Sequence, residues 1–80
     1  MKKMTCIQLG GACDKVFHAN TFDEMAELSK AHGMEMFQLG DDAHMDALGQ
    51  LMDIVKTPES MKKWMDQKRK EFDALAEEYS

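Results

Sequence analysis

The sequence predicts an α+β fold, a two-stranded β-hairpin followed by three α-helices in the order ββααα, on three observations. Short stretches of extended character flank the Gly10-Gly11 pair near the N-terminus. Cap signals at Thr21, at Asp41 or Asp42, and at Thr57-Pro58 each precede apolar residues spaced three or four apart. No repeat or low-complexity run interrupts the 80 residues, so one small domain is expected over 1–80. A weak seam through Leu39-Gly40-Asp41 divides it into hairpin plus first helix (1–39) and a helical hairpin extension (41–80).

Residues 3–8 suit a short strand, and Val16 and Phe17 favour extension in a second strand over 13–19. Leu9-Gly10-Gly11-Ala12 reads as the turn between them, because glycine supplies positive φ without a steric penalty. A lone two-stranded hairpin is marginal in water and needs a helix on one face or a partner along its edge. Thr21 with Glu24 three residues on forms a capping box, so the first helix should begin at Phe22. Its expected inner face is Met25, Leu28, His32 and Met36, with Gly33 as a site for a kink or an early end. The second helix presents Met45, Leu48, Met52 and Val55 on one side. The third begins at Thr57-Pro58-Glu59, with proline at the first helical position, and carries Met61, Trp64, Met65, Lys68, Phe72 and Leu75. Nine methionines at helical spacing read as core padding.

Composition removes several classes of function. A net charge of −5 argues against general nucleic-acid binding, which needs a basic stripe to displace counterions from phosphates. It also argues against anionic membrane surfaces, and no apolar run approaches the roughly 20 residues that span a bilayer. Gln8, Gly10 and Gly11 interrupt any signal-like apolar region after Lys2-Lys3, so a cytoplasmic protein is expected. In a reducing compartment two cysteines are thiols, ligands or redox groups rather than a standing disulfide. No phosphate loop, dinucleotide fingerprint, nucleophile elbow or H-E-x-x-H motif is present, and no catalytic residues stand out.

The chemistry-bearing residues are Cys6 and Cys13 beside the glycine turn and His32 on the first helix. Thiolate sulfur and imidazole nitrogen are the donors zinc prefers, usually in sets of four. The layout resembles a ββα zinc finger, although six residues separate the cysteines where a finger has two to four. The fourth ligand is open: Glu35 beyond His32, His18 on the second strand, and Asp14 beside Cys13 are the candidates. His44 lies among acids that capping and the helix dipole already explain.

The run Met4-Thr5-Cys6-Ile7-Gln8-Leu9-Gly10-Gly11-Ala12-Cys13-Asp14, followed by Phe17, Asn20-Thr21, Asp23-Glu24 and His32, resembles an uncharacterised family of short prokaryotic proteins. That family is described as predicted small metal-binding proteins, and the resemblance covers about the first half of the chain. It implies a metal site on the cysteines and the helix histidine. Members often carry a second histidine five residues after the first, a place that Phe37 takes here. The half from Asp41 onward looks like an extension found in a subset of such proteins.

Three functions stay open on the sequence. The first is a small metal-binding protein, zinc or a similar divalent ion held by Cys6, Cys13 and His32 with Glu35 or His18. The second is a non-catalytic interaction or dimerisation module, favoured by an exposed hairpin edge, with a homodimer or another protein as partner. The third is a thiol-redox sensor acting through a Cys6–Cys13 disulfide.

Overall fold

The computed structural model describes residues 1–77. Strand β1 (Lys2–Thr5) pairs antiparallel with β2 (Val16–Ala19), and helices α1 (Phe22–Gln38), α2 (Asp42–Ile54) and α3 (Pro58–Asp73) follow. The ββααα order is therefore present; residues 78–80 of the expected domain lie outside the described residues. Among the described residues no helix is long and apolar enough to cross a membrane.

Each helix starts where local chemistry dictates. Thr21 is extended, and its hydroxyl accepts from the Glu24 N–H at 3.1 Å. Asp41 caps α2 through the His44 N–H at 2.9 Å. Thr57 caps α3 in a reciprocal box with Ser60, and Pro58 takes the first helical position, where no N–H is needed. Gly33 does not end α1, which runs on to Gln38. Gly40 turns the chain between α1 and α2 at φ +70°.

The strands are shorter than the 3–8 and 13–19 expected, and neither cysteine lies in one. The cause is hydrogen bonding within the connection 6–15. After Cys6 the chain closes a 3-10 turn (Ile7–Leu9) that ends at Gly10, φ +92°, whose N–H donates to the Ile7 carbonyl at 3.1 Å. The Cys6 carbonyl accepts from the N–H groups of Leu9 (3.1 Å) and Gly11 (2.8 Å). Two further bonds, Cys6 N–H to Lys15 O and Ile7 N–H to Cys13 O, tie the two ends of the connection together. Residues that would otherwise extend the ladder are thus spent on folding the loop upon itself.

The core gathers Met4, Cys6, Leu9, Phe17, Ala19, Phe22, Met25 and Phe72, with Cys13, Met65 and Leu75 packed at its border. Met4 and Phe17 are register partners, so one face of the hairpin is apolar and lies under α1. Phe72 anchors α3 by meeting the Phe22 ring edge-on, with centroids 6.0 Å apart. Phe72 is the buried residue of α3, so Phe72→Ala should cost about 3 kcal/mol, read from the shift of the urea midpoint. An unchanged midpoint would show that α3 is not held by this contact.

The methionines divide. Met4 and Met25 are fully buried, whereas Met34, Met45, Met52 and Met61 are exposed, so core padding describes only part of the set. Helix α2 departs most from expectation. Met45, Leu48 and Met52 of its expected inner face are exposed, while His44 is buried and Ala47, Leu51 and Val55 are half-buried. The helix is rotated by about one residue from the face its apolar spacing suggests.

Candidate metal centre

Cys6, Cys13, His32 and His44 converge on one point. Taking one ligand atom from each, all four atoms lie within 4.8 Å of one another. Cys6 Sγ is 3.6 Å from His44 Nε2, and Cys13 Sγ is 3.3 Å from His32 Nε2. Both cysteines carry free thiols. Cys6, His32 and His44 are buried and Cys13 is half-buried. The donor set and its compactness are compatible with a metal ion.

Each donor is placed by a different local device. Cys6 opens the 3-10 turn, where two N–H groups clamp its carbonyl. Cys13 closes the loop through the Ile7 N–H. His32 comes from the middle of α1, nearly two turns beyond Met25 and close to the same helix face. Its ring meets Phe17 at 5.6 Å and His44 at 5.3 Å, both edge-on. His44 stands in the first turn of α2, and the Asp41 carboxylate accepts from its Nδ1 at 2.5 Å as well as from its backbone N–H. The Nδ1 bond fixes the ring and leaves Nε2 aimed at the cluster.

The glycine pair has two separate jobs. Gly10 provides the left-handed turn, and Gly11 provides space. A Cβ on Gly11 would lie 2.0 Å from Cys6 Sγ and 3.0 Å from the Cys6 carbonyl oxygen. Only a residue without a side chain lets the backbone pass this close to the sulfur.

Electrostatics separate the two imidazoles. Burial pushes the His32 pKa below the ordinary imidazole value, and the nearby positive charges of His44 and Lys15 act in the same direction. The hydrogen bond to Asp41 raises His44 against the opposing effect of its burial. The same bond holds the Asp41 carboxyl below its usual range. The shift at His32 favours its neutral form, the form that offers a lone pair, while His44 donates from Nδ1 to Asp41.

Three expected site residues, Cys6, Cys13 and His32, meet in the cluster. The three fourth-position candidates do not join it: Asp14 is exposed in the loop after Cys13. His18 is the register partner of Lys3 and is exposed on β2, because strand alternation sets it opposite the buried Phe17. Glu35 is exposed on α1, although its charge is felt at His32. The fourth donor is His44. Its signal in the sequence is Asp41-x-x-His44, read there as capping alone; the carboxylate both caps the helix and orients the imidazole. The chain matches no protein-family model, no curated protein and no solved structure.

Proposed function

We propose that the chain is a small metal-binding protein that holds one zinc ion on Cys6, Cys13, His32 and His44. The carrying observation is the convergence of two sulfur and two imidazole donors from four separate segments within 4.8 Å. Tetrahedral zinc, with bonds of about 2.3 Å to sulfur and about 2.0 Å to nitrogen, requires a sulfur–nitrogen edge of roughly 3.5 Å. Two of the four sulfur–nitrogen pairs, Cys6–His44 and Cys13–His32, stand at 3.6 and 3.3 Å, on either side of that value, and the other pairs lie within 4.8 Å. A tetrahedral S2N2 set favours zinc over magnesium or calcium, which take oxygen donors.

Four protein donors fill the coordination shell, so the ion serves as a cross-link rather than a site for substrate. The resemblance to predicted small metal-binding proteins supports the same reading, with His44 supplying the donor that Phe37 does not. A titration of metal-stripped protein with zinc against a competing chelator tests it. One zinc per chain, with loss of thiol reactivity, is expected; no retained metal would end the proposal.

Asp41 gives a graded check. Asp41→Asn keeps a good helix cap but removes the charge behind His44, so zinc affinity should fall by roughly 10- to 100-fold with helix content unchanged. An unaltered affinity would mean that the Asp41–His44 bond serves the helix alone. A second reading, a reversible Cys6–Cys13 disulfide, is favoured by the closeness of the two sulfurs. Mass measurement of the chain after mild oxidation, with and without zinc, distinguishes the two.

A further inference from the structure

We infer that the metal site is a docking latch for helix α2: ion binding fastens α2 to the rest of the chain, and ion loss releases it. The inference rests on the zinc reading above. Its basis is an asymmetry in how the helices are held. The apolar core draws on the hairpin, the loop, α1 and, through Phe72, α3, but on no residue of α2. The buried residue of α2 is His44, which is a donor of the cluster. The apolar residues Met45, Leu48, Met52 and Ile54 are all largely exposed.

Beyond His44, α2 touches the domain through half-buried side chains such as Leu51. The Leu51 methyls lie against Gly10, close enough that a Cβ there would come within 3.3 Å of one of them. Without an ion, Cys6 and His44 share a 3.6 Å contact to sulfur, a weak hydrogen-bonding partner. With an ion, His44 is bonded through it to Cys6, Cys13 and His32, all on the hairpin–α1 unit. The latch also builds a cavity. A cleft of about 550 Å3 lies between α1, α2 and the glycine turn, with Met34 and Phe37 on one wall, Met45 and Leu48 on the other, and Cys6 and His44 also lining it. Releasing α2 removes one wall, so the ion controls whether this apolar cleft exists.

Amide hydrogen exchange on the full chain, with and without one equivalent of zinc, tests the latch when bound zinc is counted in the same samples. The expected result is exchange at least tenfold faster in α2 on zinc removal, with smaller changes in β1, β2 and the first half of α1. Stoichiometric zinc with unchanged α2 exchange would overturn the latch while leaving the metal site standing. So would an equal acceleration in every segment, which would mean that the ion holds the whole fold. No bound zinc would remove both. A His44→Ala chain gives a second measure: its α2 amides should exchange rapidly even with zinc present, while those of the hairpin keep their protection. Slow α2 exchange in that variant would also overturn the latch.

Discussion

His44→Ala should abolish stoichiometric zinc binding, whereas His18→Ala and Glu35→Ala should leave it intact. The contrast is sharp because Glu35, which finger spacing favours, and His18, which its place on the second strand suggests, are both exposed outside the cluster. Removing an outer partner of a metal ligand already costs about 10- to 100-fold in affinity. Loss of a direct donor should therefore exceed 100-fold, on the order of a 3 kcal/mol loss of binding free energy. Because a metal that binds only the folded chain adds its binding energy to folding, zinc should also raise the melting temperature of the wild type far more than that of the variant. Competition titration reads the first effect and thermal unfolding the second. Equal affinity in His44→Ala and wild type would place the ion elsewhere.

Gly11→Ala should damage the site without touching a donor. The added methyl would stand 2.0 Å from Cys6 Sγ and 3.0 Å from a backbone oxygen that two N–H groups hold in place. The sulfur must move, and with it one corner of the cluster. Overpacking of this kind costs about 1–3 kcal/mol, and zinc affinity should drop by more than about tenfold. Gly33→Ala is the control. It lies in the interior of α1 with nothing within 4 Å of a new Cβ, so it should stabilise the chain by roughly 0.5–1 kcal/mol. Urea denaturation of both variants checks the opposite signs, and an unharmed Gly11→Ala protein would contradict the close approach at Cys6.

The helix starts were legible because capping is local. Thr21, Asp41 and Thr57-Pro58 act on N–H groups within their own first turn, and no tertiary contact is needed to recognise them. The strand limits were not, because Cys6 to Leu9 carry apolar residues that suit a strand but close a 3-10 turn instead. What decides between the two is the set of N–H groups that donate to the Cys6 and Cys13 carbonyls, which depends on the loop as a whole.

The face of α2 was misjudged for a related reason. Apolar residues occupy several sides of that helix, and the side that turns inward is chosen by His44, a polar residue that periodicity gives no weight. The same residue completes the cluster. Three donors could be read from residue type and spacing. The fourth required knowing that the chain reverses at Gly40 and brings the start of α2 back against His32.

X-ray absorption at the zinc edge, on the 80-residue chain loaded with one equivalent of zinc, tests the central claim most directly. The account predicts two sulfur neighbours at about 2.3 Å and two nitrogen neighbours at about 2.0 Å. A shell of oxygen and nitrogen alone, without sulfur, would contradict it, because the ion would then be held away from Cys6 and Cys13.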